Sequence, residues 1–242
     1  MPIATVKQLC VPNALVTSDS LVEQVAQIED FATGRIEGRA FFRRNHFTAG
    51  LELLVKRGFD RLAGKSEDGA FYLTQAMGGG KTHSLISFGL LASDPVLRRE
   101  ILPRLSNGDE FGAAKVVIFN GHQNPETLLW GFVAEQLGRG TVMLSFWRNG
   151  ARTPGIDEWI EVLGTEPVLI LLDELPSYLQ MVQGEPVGGS NLGDLTIGAL
   201  ERLFNALPRC PHACVVVTNL KDDIYLDGSG RLRTLIESLT KH

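Results

Sequence analysis

Cysteine is scarce in this chain: Cys10, Cys210 and Cys214 are the three among 242 residues. So few thiols cannot make a disulfide framework at this length, which points to a reducing compartment. Long apolar runs are also missing. No stretch reaches the roughly 18 apolar residues that a membrane-spanning helix needs, and residues 1–25 lack a basic start followed by an apolar segment. No membrane partner and a cytoplasmic location are therefore expected. There is no surplus of positive charge either, since 23 Lys and Arg against 28 Asp and Glu leave −5. That balance argues against a surface that grips nucleic acid throughout. Residues 31–65 reverse it locally, with eight basic residues against three acidic ones. Repeats and low-complexity tracts are absent. What is present is a 44% hydrophobic composition, enough to bury a proper core in one large or two small α/β domains.

The chain is organised around residues 70–83, where an apolar strand-like run from Ala70 to Thr74 breaks into Gly78, Gly79 and Gly80 and then Lys81-Thr82-His83. Glycines let successive backbone N–H groups point into one concavity, the following helix adds its positive N-terminal end, and a lysine reaches the outer phosphates. Thr82 would offer its hydroxyl to Mg²⁺. The expected triphosphate-binding residues are thus Met77, Gly78, Gly79, Gly80, Lys81, Thr82 and His83. Gln75 stands where the full loop pattern has its first glycine, so the match is to a looser form. The bland alternative is an ordinary strand-to-helix turn followed by a solvated lysine.

A second signal is the unbroken apolar run from Pro167 to Leu172, closed by Asp173 and Glu174. Acids at the C-terminal end of a buried parallel strand stand where ligands gather. Asp173 is expected to hold Mg²⁺ through its water shell, with Thr82 as the other holder, and Glu174 to orient or deprotonate the attacking water. Helix capping is the structural alternative for both acids. Ala213 to Val217 predicts a further strand ending in Thr218 and Asn219, whose polar groups could meet the γ-phosphate or that water. Triphosphate hydrolysis works mainly by positioning and by cationic stabilisation, and these are the residue types it needs.

Around these signals strand and helix alternate, which favours a mostly parallel sheet flanked by helices. Residues 1–17 read as an extended arm, and Ser20 with Glu23 opens a helix to about Phe31. A helix from about Phe47, with Thr48 as cap, leads to the turn at Gly64–Gly69. Asp94-Pro95 starts a short helix, and Lys115–Phe119 is a strand closed by Asn120-Gly121. Helices are predicted over Pro125–Leu137, around Trp159–Leu163, over Leu175–Met181, Leu195–Leu207 and Arg231–Leu239. Val142–Trp147 fits strand or helix, and Gly184–Asp194 reads as a glycine-rich loop. Residues 1–66 are read as an N-terminal arm and helices packing on the core, and residues 67–242 as the core itself.

Other candidates carry less. Arg35, Arg39, Arg43 and Arg44 interleave with Phe41 and Phe42, which suits phosphates and base faces but equally a solvated loop anchored by its phenylalanines. Cys210, His212 and Cys214 lack the fourth ligand and spacing of a closed zinc site, so Cys214 is expected in the core. His46 and His122 stand alone beside loops, where solvation or a backbone hydrogen bond is the default.

The succession of loop lysine, strand-borne Asp173-Glu174 and a polar-ended fourth strand resembles the AAA-type division of P-loop ATPases, with its Walker A and Walker B elements. That likeness implies a P-loop NTPase fold with sheet order 5-1-4-3-2. More narrowly, a set of motifs resembles one group of large ATPases. They are Phe41-Phe42, His46-Phe47-Thr48-Ala49-Gly50-Leu51, Met77-Gly78-Gly79-Gly80-Lys81-Thr82-His83, Thr127-Leu128-Leu129-Trp130, Gln136-Leu137-Gly138 and Leu171-Leu172-Asp173-Glu174-Leu175. These ATPases form a domain-of-unknown-function family often encoded beside DNA methyltransferases and helicases in prokaryotic phage-defence islands. The similarity covers most of residues 40–220. It implies an ATPase that uses ATP and Mg²⁺ and drives conformational change in other subunits, in further C-terminal domains or in a homo-oligomer. Family members are much longer, so strand 5 and the helical lid are expected to be lacking here and the chain to be the N-terminal part of a larger protein. Arg231 and Arg233 lie where the division often carries a residue that acts on a neighbour's γ-phosphate; two surface arginines are the alternative. Asn120 resembles the residue that restrains the catalytic glutamate in some members, with a plain Asn-Gly turn as the other reading.

Overall fold

Alternation along four strands decides the architecture, because successive side chains of a strand point to opposite faces. In a computed structural model that describes residues 27–75, 80–103, 106–123, 128–148 and 150–220, four long strands form one parallel sheet. They are β1 (Ala70–Gln75), β2 (Lys115–Asn120), β3 (Val168–Asp173) and β6 (Ala213–Leu220), in the order β1-β6-β3-β2. This is the relative order of strands 1, 4, 3 and 2 in the arrangement expected above. Phe71, Leu73, Ile118, Leu169, Leu171, Cys214 and Val216 join one apolar cluster. Their neighbours Ala70, Tyr72, Val117, Phe119, Ile170, Leu172, Val215 and Val217 join the other. A sheet with two apolar faces must be covered twice, and it is.

One face is covered by α1 (Ile28–Ala32), α2 (Gly38–Arg44), α3 (Ala49–Leu62), α4 (Lys81–Ser93) and α5 (Pro95–Ile101). The other is covered by α6 (Leu129–Gln136), α7 (Gly140–Met143), α8 (Ile156–Leu163), α9 (Leu175–Val182) and α10 (Leu192–Ala206). In α3, Leu51, Leu54, Val55, Phe59 and Leu62 recur at helical spacing and are buried. Its cap is the expected one, with the Thr48 hydroxyl accepting from the Leu51 N–H. Asp94 likewise caps α5 through the N–H groups of Val96 and Leu97. Among the described residues no helix is long and apolar enough to cross a membrane.

Two expectations are corrected, and one left open between strand and helix is decided for helix. Residues 35–44 are largely helix rather than loop: the Glu37 carboxylate accepts from the Arg39 and Ala40 N–H groups and opens α2. Val142–Trp147 is a short α-turn running into a 3-10 turn at Leu144–Phe146. The glycine-rich segment before α10 holds a small hairpin, β4 (Pro186–Val187) against β5 (Ser190–Asn191), and α10 starts earlier because the Asn191 side chain caps it. The Ser20–Glu23 helix start and the Arg231–Leu239 helix lie outside the described residues.

Arg61 ties these layers together. It is 2% exposed, and its guanidinium donates to the carbonyls of Ala213 (2.8 Å), Cys210 (2.7 Å), Ser66 (2.9 Å), Glu67 (3.2 Å) and Leu207. Burial holds its pKa below the usual arginine value. Replacing it strands several buried acceptors, each worth about 1–3 kcal/mol when left unpaired. Arg61→Met is therefore expected to lower unfolding free energy by about 3 kcal/mol or more. A urea melt checks this, and an unchanged midpoint would show the clamp to be dispensable.

Candidate functional site

The C-terminal ends of the four parallel strands lie on one edge, and Thr82 and Thr218 converge there on Asp173. β3 is buried along its whole length and delivers Asp173 at 2% exposure. A carboxylate taken from water this fully needs donors on both oxygens. Thr82, in the first turn of α4, donates its hydroxyl to Oδ2 at 2.9 Å. Thr218, on the adjacent β6, donates to Oδ1 at 2.5 Å, and the Glu174 N–H donates to the same oxygen at 3.2 Å. Three segments distant in sequence thus meet at one carboxylate.

The loop that leads into α4 is only partly in view. Met77, Gly78 and Gly79 lie outside the described residues. Gly80 is the N-cap of α4 with φ of 76°, a left-handed conformation that suits glycine. Among the described residues no atom lies within 4 Å of a side chain built there, and it is the left-handed conformation that calls for the glycine. Lys81 opens the helix at 8% exposure, low for an amine that water solvates strongly. The N–H groups of Thr82 and His83 sit in the first turn, where helix geometry supplies no acceptor.

His83 turns its ring away from that chemistry towards the core. The imidazole stacks on Phe41 of α2, with centroids 4.6 Å apart and planes at 22°. Its Nε2 is enclosed without a partner among the described residues, and burial lowers its pKa below the ordinary histidine value. Of the residues expected to bind phosphate, His83 therefore presents backbone to the helix N-terminus while its side chain fastens α2 to α4.

Glu174 follows Asp173 in a left-handed backbone conformation, φ 52°, alone among the described non-glycine residues. Such a geometry costs on the order of 1–3 kcal/mol and persists where the surroundings impose it. The carboxylate is partly open to solvent, and its Oε2 lies 3.6 Å from His122 Nε2. Asn120, paired with Asp173 in the strand register, directs its amide elsewhere. Nδ2 donates to Glu29 of α1, and Oδ1 accepts from the His122 N–H at 3.0 Å. Asn219 is placed by the backbone register, opposite Thr74 of β1.

The remaining candidates sort by their contacts. Arg39 forks onto Glu100 at 2.7 and 2.8 Å, and Arg35 pairs with Asp30 at 2.9 Å. That leaves Arg43 and Arg44 exposed in the last turn of α2. His46 is exposed between α2 and α3. His212 Nδ1 lies 3.0 Å from the Leu62 carbonyl, and Cys214 is a core residue whose thiol pKa burial pushes up. Arg231 and Arg233 lie outside the described residues. Sequence reading missed Glu29 and the contact between His122 and Glu174. No sequence pattern joins residues that only the sheet register brings side by side.

A family profile described as the DUF499 N-terminal domain matches residues 16–101, a stretch that runs from before α1 through α5 and includes Lys81, Thr82 and His83. No curated protein matches the chain, and no solved structure does.

Proposed function

We propose that this chain is an AAA-like P-loop ATPase core that binds ATP with Mg²⁺ and hydrolyses it. The observation that carries the reading is the hydrogen bond from Thr82 to Asp173. It brings the start of the loop helix and the acidic end of β3 to one point at 2.9 Å. A hydroxyl and a carboxylate are hard oxygen donors of the kind Mg²⁺ prefers, and the buried carboxylate supplies the charge. Thr82 and Asp173 would hold the ion, which when bound neutralises charge on the β- and γ-phosphates.

The chain's own groups divide the remaining work. Lys81 and the first-turn N–H groups of α4 hold the phosphates at a positive helix end. Glu174 orients the attacking water and takes its proton. Thr218 fixes the Asp173 carboxylate from the far side, and Asn219 on the same strand would meet the γ-phosphate or the water. Turnover would move partner domains or subunits within a larger prokaryotic machine of the phage-defence kind. This part of the reading rests on the motif resemblance alone.

A nucleotide-gated switch that binds ATP and hardly cleaves it is the second reading. A helicase-like DNA translocase has less in its favour, because Arg35 and Arg39 are engaged with Asp30 and Glu100. Calorimetric titration of the intact chain with ATP tests the main reading. Saturable binding with Mg²⁺ present, weakened roughly ten-fold or more by EDTA, is expected from loss of the phosphate-bound charge. No saturable binding in either condition would reject it.

A further inference from the structure

We propose that His122 is a positioning residue for Glu174, and that Glu29 on α1 anchors the turn from which His122 acts. The inference rests on the ATPase reading, since it needs Glu174 to face a nucleophile.

The turn after β2 lies directly on the backbone of Asp173 and Glu174. The Gly121 N–H donates to the Asp173 carbonyl at 2.9 Å. A Cβ at Gly121 would stand 2.2 Å from the Glu174 carbonyl oxygen and 2.8 Å from the Tyr178 Cβ, so only glycine fits. This close approach holds Glu174 in its left-handed conformation, the one such non-glycine geometry among the described residues. The next residue, His122, then presents Nε2 to the Glu174 carboxylate at 3.6 Å. Its own backbone is fixed by Asn120 Oδ1 at 3.0 Å, and the Asn120 amide is in turn held by Glu29.

A line of contacts therefore runs from α1 through Asn120 and His122 to Glu174. Its origin is seated on the loop helix, because the Phe31 ring fills the space where Gly89 of α4 would carry a side chain. Glu174 sits at a partly open edge, where a carboxylate has many orientations of similar energy. An imidazole at its side narrows them. Any displacement of α1 relative to β2 shifts the turn and with it the direction of the carboxylate. The N-terminal helix thereby gains a route to the chemistry without touching nucleotide.

Steady-state ATP hydrolysis and ATP·Mg²⁺ calorimetry on the intact chain test this. His122→Ala is expected to lower kcat roughly ten-fold or more, as misplacement of a reacting group does, with ATP affinity unchanged. His122→Gln, whose amide nitrogen has a similar reach, should recover most of the loss. Glu29→Ala should also lower kcat, and adding it to His122→Ala should cost little more, because both act through one turn. An unchanged kcat in His122→Ala, or equal losses in the Ala and Gln variants, overturns the positioning role. Full activity in Glu29→Ala overturns the anchoring role. If Glu174→Gln arrests turnover while His122→Ala does not, this inference falls and the ATPase reading stands. A wild-type chain that binds ATP·Mg²⁺ but releases no phosphate, alone or assembled with partner subunits, overturns both positioning and hydrolysis and leaves the binding site intact.

Discussion

Lys81→Ala is expected to abolish ATP·Mg²⁺ binding in a calorimetric titration that saturates with the wild-type chain. The ammonium stands at the first position of α4, 8% exposed and one residue before the Thr82 hydroxyl that bonds Asp173. Charge-assisted hydrogen bonds to phosphate are worth about 1.5–3 kcal/mol each, so losing them weakens binding on the order of a hundred-fold. The helix N-terminus alone contributes much less, about 0.3–1 kcal/mol at an exposed end. Fold is not the issue, because Ala favours a helix and the sheet core does not depend on an amine. A circular dichroism spectrum and melt like those of the wild type should accompany the loss. Unchanged affinity would reject the phosphate-loop assignment.

Glu174→Gln separates binding from chemistry. The amide keeps the size of the carboxylate, so the left-handed backbone and its packing against Gly121 should survive. What is lost is the proposed base. General acid–base assistance contributes roughly 10²- to 10⁴-fold, and phosphate release should fall by that order while ATP affinity stays within a few-fold. A variant that still releases phosphate at the wild-type rate would remove Glu174 from the reaction. Should the wild-type chain release none even when assembled with partner subunits, the switch reading replaces the motor.

Much of the architecture was legible because a parallel strand buried on both faces has to be apolar throughout and can turn polar only at its end. Ala70–Thr74, Pro167–Leu172 and Ala213–Val217 stand out on that rule, and the acids and hydroxyls that follow them come together at one edge. Caps at Thr48 and Asp94 were readable because they are short-range chemistry between neighbours in sequence. Helix α2 was not. Its apolar content is two adjacent phenylalanines among arginines, a pattern without helical period, and what holds it includes the stack of Phe41 on His83, forty-two positions away. The hairpin at Pro186–Asn191 was hidden for a similar reason, since two-residue strands are too short to alternate.

The site divides in the same way. Asp173 with Thr82 could be anticipated from residue type and strand position, whereas Thr218 was expected at the γ-phosphate or the water and not on Asp173. The line from Glu29 through Asn120 and His122 to Glu174 could not, because it depends on the register of β2 against β3 and on where α1 rests. Asn120 was read either as a restraint on the glutamate or as a plain turn residue. The turn is there, and the Asn120 side chain also links it to α1.

The most direct test of the central claim is the anomalous signal of Mn²⁺ in crystals of the intact chain grown with a non-hydrolysable ATP analogue. One peak is predicted at the Thr82 hydroxyl and the Asp173 carboxylate, directly or through water, with phosphate density beside Lys81. A peak elsewhere, or nucleotide density remote from the start of α4, would contradict it.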